Sequence, residues 1–221
     1  MNNSKEQQIL PFEFREAKNR EDFVVGASNR EAVKWIDRYP RWKNNGLIII
    51  GPTASGKSHL ASVWQKKSFC DIFNYEDVNR ENKDLFNFNN ITIEDIHNIT
   101  NFKFFLHIFN IKQERNLKFL FTSRLNLQKI NIKLEDIKSR LKTLPQALIL
   151  LPTDEEIKGI LLKLFKDKGV FLNEDIINFI LIRIERTYIT IQKLVNEVNN
   201  LSLKQKKNIT IPLIKEVIDK K

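Results

Sequence analysis

Eight residues, GPTASGKS at positions 51–58, are the most informative stretch of this sequence. They match the phosphate-binding pattern G-x-x-x-x-G-K-[ST] in full, and this motif requires a buried strand before it and a helix after it. Both are indicated, since the apolar run LIII occupies 47–50 and a helical pattern starts after Lys57. The backbone N–H groups of such a loop cradle phosphates, and the helix N-terminus attracts anions. The sequence therefore predicts nucleotide binding.

The motif also predicts the roles of individual side chains. Lys57 is expected to reach the β- and γ-phosphates, and Ser58 offers its hydroxyl group to Mg²⁺. ADP or ATP, together with Mg²⁺, is the expected cofactor. The predicted cofactor-binding residues of this segment are Gly51, Pro52, Thr53, Ala54, Ser55, Gly56, Lys57, Ser58 and His59.

A second motif, ITIED at 91–95, is an apolar strand that ends in two carboxylates. In the company of a phosphate-binding loop, Glu94 is expected to hold Mg²⁺ and Asp95 to orient the attacking water. The alternative is an ordinary strand that ends in a solvated turn. The order of the two acids is the reverse of the common Asp-Glu, which favours slow hydrolysis.

Apolar runs and helical patterns alternate through the first two thirds of the chain. This alternation predicts an α/β fold, with a parallel sheet covered by helices on both faces. The apolar runs are at 47–50, 69–73, 91–93, 118–121 and 147–151, and helical patterns include 28–38 and 101–113.

After Pro152 the pattern becomes purely helical. TDEE at 153–156 predicts a capping box that opens a helix ending near Gly169. Three further helices are predicted, from a cap at Asn173, from about Thr190 to Leu203, and from near Pro212. The predicted organisation is an N-terminal segment 1–20, a nucleotide-binding α/β domain 21–152 and a small all-α domain 153–221.

The amino-acid composition limits the classes of protein to which this chain can belong. The 221 residues are 42% hydrophobic and 29% charged, which is typical of a globular protein. The sequence contains no apolar run long enough for a membrane span and no signal-peptide pattern, and Cys70 is its only cysteine, so a cytoplasmic protein is expected. A net charge of +10 is compatible with a nucleic-acid partner, but the basic residues are scattered and no recognition helix stands out.

A phosphate-binding α/β domain followed by a helical lid, with an arginine before the last strand, resembles the AAA+ ATPases. FVVGASNREAV at 23–33 is similar to the F-V-x-G-x-x-N motif with which the DnaA clade lines its adenine pocket. The resemblance implies that Phe23, Val24 and Val25 bind the cofactor. LEDIKSRL at 134–141 is similar to box VII of that clade, whose final arginine is the arginine finger, which implies a catalytic role for Arg140. Taken alone, Arg140 is an ordinary surface arginine.

Within that clade the sequence resembles Hda, the regulatory inactivator of DnaA. It ends in TIPLIKEVIDKK after the lid-like helices, where DnaA continues into a DNA-binding domain. QQILPF at 7–12 resembles the N-terminal Q-L-x-L-P-[LF] peptide with which Hda-like proteins bind the sliding clamp. Gln8 departs from the usual leucine. The resemblance implies that Gln7, Leu10, Pro11 and Phe12 bind the clamp, whereas the alternative is a segment folded back on its own domain.

Two departures from the clade bear on catalysis. The position of the sensor-2 arginine is occupied by Thr190, with Arg186 one turn earlier, and FTSR at 121–124 lacks the aspartate of the S-D-R pattern. They predict weak or absent ATP hydrolysis by the chain itself.

The resemblance implies a negative regulator of replication initiation. Arg140 would promote hydrolysis of DnaA-bound ATP, and the protein would bind the β sliding clamp of DNA polymerase III and thereby reach DNA indirectly. Membrane association is not expected, and a homo-oligomer is left open. One alternative is a self-sufficient ATPase or single-stranded-DNA-binding loader of the DnaA/DnaC type. Another is a small-molecule kinase, which would need more lid arginines than Arg183 and Arg186.

Overall fold

The structure, a computed structural model, describes residues 23–219. A five-stranded sheet forms its centre, and all strand pairs are parallel, in the order β2-β3-β4-β1-β5. The predicted parallel sheet is thus confirmed. The strands are β1 (Gly46–Ile50), β2 (Asp71–Asn74), β3 (Ile91–Glu94), β4 (Phe119–Ser123) and β5 (Gln146–Leu148).

Helices cover both faces of the sheet and then form a separate C-terminal unit, as the sequence predicts. The helices that accompany the sheet are α1 (Arg30–Arg38), α2 (Lys57–Ser68), α3 (Tyr75–Asn79), α4 (Phe102–Glu114) and α5 (Glu135–Thr143). The C-terminal helices are α6 (Asp154–Asp167), α7 (Glu174–Leu181), α8 (Tyr188–Gln205) and α9 (Ile211–Ile218). None of the helices within residues 23–219 combines the length and the apolar character needed to cross a membrane.

Strand β1 is buried along its whole length because both of its faces carry a core. Ile48 and Ile50 point into the core beneath α4 and α5, whereas Leu47 and Ile49 point into the core beneath α1 and α2. Successive side chains of a strand face opposite sides of the sheet, so an uninterrupted apolar run suits a central parallel strand. The run before the loop therefore places residues 51–58 at the carboxyl edge of the sheet.

The C-terminal helices have a core of their own, built around Leu161, Phe165 and Ile180. The predicted capping box at the start of α6 is confirmed: the Thr153 hydroxyl accepts a hydrogen bond from the Glu156 N–H at 3.3 Å, and Glu156 Oε2 accepts one from the Thr153 N–H at 2.6 Å.

Two of the apolar runs extend at least two residues beyond the strands that they mark. β2 begins at Asp71 rather than Phe69, because Phe69 caps α2 in the left-handed conformation (φ 53°) and its side chain is 85% exposed. β5 ends at Leu148 rather than Leu151, because the chain leaves the strand to hydrogen-bond elsewhere: the Leu150 N–H donates to the Ser28 carbonyl at 2.9 Å.

A buried hydrogen-bond network joins the sheet domain to the C-terminal helices. The N–H and hydroxyl groups of Ser28 both donate to Glu156 Oε1 at 2.8 Å, and the Tyr188 hydroxyl lies 2.9 Å from the Ser28 hydroxyl. Burial acts to raise the pKa of Glu156, but hydrogen bonds from Thr153 and Ser28 outweigh it, so the pKa lies below its ordinary value. Gly26 packs directly on this carboxylate, since a Cβ there would lie 1.9 Å from Glu156 Oε1.

We expect Glu156→Gln to destabilise the protein by about 2 kcal/mol, because an amide N–H would face the Thr153 donor and a charged acceptor would be lost. The free energy of unfolding, measured by urea denaturation, checks this. A carboxyl with a lowered folded pKa stabilises above its unfolded pKa and loses that effect as the pH falls through the folded pKa. The difference between wild type and variant should therefore shrink in acid. Glu155→Gln, an exposed position in the same turn, is the control, and equal effects of both changes would contradict the network's role.

Candidate nucleotide site

The phosphate-binding loop follows β1 and leads directly into α2. Gly56 has φ +90°, a left-handed conformation that favours glycine, and a Cβ there would lie 2.5 Å from the Phe23 ring. Ala54 also has a positive φ of 62°. The loop thus bends sharply over the strand edge, with Phe23 packed against it.

Lys57 points back into the loop rather than into solvent. Its Nζ donates to the carbonyl oxygens of Gly51 and Pro52, each at 2.9 Å. Burial lowers the pKa of Lys57, with Asp95 and Glu94 acting to raise it and Arg124 to lower it. A phosphate group would offer this buried ammonium a charged partner.

Two buried oxygen atoms lie near the loop without a hydrogen-bond partner in the described part of the chain. Within residues 23–219, Ser55 Oγ and Glu94 Oε1 are buried and have no hydrogen-bond partner. Buried polar atoms without partners are rare in proteins, and ligand or ion sites are a common reason for them. The residues present therefore fit a phosphate ligand with a metal ion.

Asp95 follows β3 in a strained conformation. Its φ of 55° is left-handed, which is uncommon for a residue other than glycine, and its N–H donates to the buried Thr122 hydroxyl at 3.0 Å. The structure thereby brings Glu94 and Asp95 to the same sheet edge as Lys57, whose pKa both carboxylates influence.

Arg124, at the end of β4, is held by a histidine that the sequence did not single out for this site. Its Nε donates to Nε2 of His97 at 2.9 Å, and burial lowers the pKa of His97. The hydroxyl of Ser123 is turned away, donating to the Leu125 carbonyl at 2.6 Å. Arg124 is therefore the cationic group that FTSR contributes to the electrostatics of Lys57.

A cleft lies between the loop and the C-terminal helices, formed by two adjoining cavities of about 550 and 140 Å³. The loop residues from Ala54 to His59 line it, and Phe23 and Val24 line its smaller part. The Phe23 ring meets the His59 ring edge-on, with 5.2 Å between centroids. Val25 is 44% exposed and is not among the lining residues of this cleft.

The helical side of the cleft is formed by residues of α6 and α8. Lys163, Leu164 and Gln192 face the loop across it. Thr190 lies in the first turn of α8, and its hydroxyl is 2.8 Å from the hydroxyl of Thr187, the N-cap residue of that helix. Arg186 forms a two-pronged ion pair with Asp154, at 2.6 and 3.1 Å, and is not among the lining residues.

Arg140 lies at the other edge of the sheet. It lines a cleft of about 530 Å³, the Arg140 cleft, together with Asn45, which precedes β1, and Phe119, which starts β4. The length of β1 alone separates this edge from the phosphate-binding loop by about 13 Å, at about 3.3 Å per residue. Arg140 therefore faces away from Lys57 of its own chain.

The remaining sequence-predicted site concerns the N-terminal peptide. Its residues lie outside the part of the chain that the structure describes. They are Gln7, Leu10, Pro11 and Phe12.

Comparisons with known proteins agree with this architecture. The family model "Hda, lid domain" matches residues 154–218. Domain III of the replication initiation protein DnaA from Thermotoga maritima superimposes with a TM-score of 0.81 at 17% identity, covering 92% of this chain and 96% of that chain. No curated protein matches the chain.

Other solved structures share the fold at similar identities. DnaA from Aquifex aeolicus bound to AMPPCP has a TM-score of 0.71 and 17% identity, covering 88% of this chain and 70% of that chain. RuvB, the Holliday junction branch migration motor of Thermotoga maritima, has a TM-score of 0.60 and 15% identity, covering 79% of this chain and 61% of that chain. The chain thus shares its fold with domain III of DnaA, and its C-terminal unit matches the model of the Hda lid domain.

Proposed function

We propose that this protein is a negative regulator of replication initiation that promotes hydrolysis of the ATP bound to DnaA. The observation that carries the proposal is the position of Arg140 at the sheet edge opposite its own phosphate-binding loop. A guanidinium there is too far from the chain's own nucleotide site to act on it, but it is available to a nucleotide held by another chain. Stabilising the charge at a γ-phosphate is the known use of such an arginine.

The chain's own loop holds ADP or ATP in this proposal. Lys57 and the unpartnered Ser55 hydroxyl support phosphate binding, and Phe23 and Val24 are available to the base. The fold is shared with a DnaA bound to a nucleotide analogue, AMPPCP. The nucleotide lies between the loop and the lid, so it serves to order the two parts rather than to supply energy.

Mg²⁺ would be held by Ser58 and Glu94. Among residues 23–219 no group of three or more His, Cys, Asp or Glu side chains could hold a metal ion by itself. Mg²⁺ usually binds through one or two carboxylates together with substrate phosphates, and Glu94 Oε1 is a buried oxygen without a hydrogen-bond partner among residues 23–219. When bound, the ion would neutralise phosphate charge, and Asp95 would orient a water molecule.

The N-terminal peptide tethers the protein to the sliding clamp. Its support is the sequence QQILPF, which places the large apolar side chains Leu10 and Phe12 after two glutamines and before a charged run. A clamp on DNA would bring Arg140 to DnaA only while replication is in progress. Binding is expected to be modest, since a short segment must become ordered on the clamp.

The decisive experiment follows hydrolysis of ATP preloaded on DnaA, in the presence of clamp-loaded DNA. We expect the wild-type protein to accelerate it about 10³-fold or more, the range of arginine fingers, and Arg140→Ala to abolish the acceleration. Lys142→Ala, which removes an exposed cation two residues later, is the control. No acceleration by wild type, together with ATP turnover by this chain alone and salt-dependent binding to single-stranded DNA, would favour the initiator or loader alternative.

Lys57→Met is expected to weaken ADP binding at least about tenfold, because the β-phosphate loses a charge-assisted hydrogen bond. Calorimetric titration measures the dissociation constant, and the rise of melting temperature with ADP checks it independently. Lys34→Met removes an exposed cation of α1 and should leave binding unchanged. Equal affinities of the Lys57 variant and wild type would contradict the assigned site.

Replacing Leu10 and Phe12 together by Ala is expected to weaken binding to the sliding clamp at least about tenfold, because both anchors of a short motif are lost. Surface plasmon resonance with immobilised clamp measures it. The matched control replaces Asn2 and Asn3 by Ala in the same segment. Undiminished binding of the Leu10/Phe12 variant would remove the tethering role.

A further inference from the structure

The Arg140 cleft is lined by polar side chains, two of them cationic, and by two aromatic rings. Lys43 and Arg140 contribute cations, and Phe109 and Phe119 contribute rings. Within the described part of the chain, its lining includes no carboxylate. The cleft is therefore suited to bind an anionic group of another molecule. The orientation of Arg140 determines the geometry with which its guanidinium contacts that group.

One neighbouring side chain holds the arginine. Gln113, in the last turn of α4, accepts a hydrogen bond from Arg140 Nη1 on its Oε1 at 3.0 Å. Phe109 lies one turn before Gln113 and therefore on the same face of α4. The Arg140 guanidinium carbon lies 5.9 Å from the Phe109 ring centroid.

The two helices that carry Gln113 and Arg140 are well packed at this point. Phe109 is buried and its ring stacks on Phe119, with 4.7 Å between centroids. The backbone of Arg140 is fixed at the end of α5, where its carbonyl accepts a hydrogen bond from the Thr143 hydroxyl at 2.7 Å. Gln113, on α4, thus fixes the guanidinium group of Arg140, which is carried by the neighbouring helix α5.

The bond to Gln113 leaves most of the guanidinium available. An arginine has five N–H donors in a planar fork, and the contact with Gln113 uses one of them. A neutral amide oxygen also orients the group without cancelling its charge, as a carboxylate would. Holding a side chain in its working geometry before the encounter removes an ordering cost from the reaction.

We propose that Gln113 is a positioning residue for Arg140, which it presents to the triphosphate bound by the partner chain. This inference rests on the proposed function, because it assigns Gln113 a role only through Arg140. Gln113 acts on the rate within the complex and not on how tightly the complex forms.

The test measures hydrolysis of ATP preloaded on DnaA, with clamp-loaded DNA, as a function of the concentration of this protein. Gln113→Met removes the acceptor at similar length, and we expect its maximal rate to fall about tenfold, equivalent to about 1.4 kcal/mol of barrier. The concentration for half-maximal acceleration should stay within about twofold of wild type. Glu114→Gln, the neighbouring exposed position, is the control and should behave as wild type.

Gln113→Lys separates positioning from simple electrostatics. If Gln113 positions Arg140, a lysine there would repel the guanidinium and lower the maximal rate. If the cleft acts only through its positive potential, the added charge would raise the maximal rate. A maximal rate of Gln113→Met equal to wild type, or a raised half-maximal concentration with an unchanged maximum, would overturn the inference while Arg140→Ala remains inactive. If wild type gives no acceleration, the proposed function itself fails, and the role of Gln113 falls with it.

Discussion

Strand β1 pairs in parallel with β4 on one side and β5 on the other, and the two candidate sites depend on this pairing. Because all strands run the same way, the loop after β1 joins the carboxylates after β3 at the carboxyl edge. The helix that precedes β5 must then end at the amino edge, which is where Arg140 lies. A sheet built in this way separates the phosphate-binding loop from Arg140.

The buried carboxylate of Glu156 links the nucleotide site to the lid. It caps α6, accepts two hydrogen bonds from Ser28 and packs on Gly26, just after the residues that line the smaller cavity. Tyr188, at the start of α8, closes the network. The segment before α1 and the C-terminal helices are thus held together by one charged group, whose desolvation is offset by the donors around it.

Features that depend on local pattern could be predicted from the sequence, and features that depend on docking could not. The loop at 51–58 and the capping box at Thr153 each follow from a few neighbouring residues. The contact of Gly26 with Glu156 joins positions 130 residues apart, and the pairing of Gln113 with Arg140 requires α4 and α5 to be side by side. The sequence left open whether Arg186 reaches the nucleotide site, and only the fold shows that it pairs with the nearby Asp154. The lid residues that face the loop, such as Gln192, depend on how α8 docks, and no local pattern identifies them.

In this account, the ATP that is hydrolysed and the arginine that accelerates hydrolysis belong to different chains. The most direct test places labelled ATP either on DnaA or on this protein, mixes each with the unlabelled partner and clamp-loaded DNA, and follows a single turnover of labelled phosphate. The predicted result is rapid release from DnaA only, and slow release from this protein whether or not DnaA is present. Rapid release from this protein without DnaA, or no change in release from DnaA, would contradict the account.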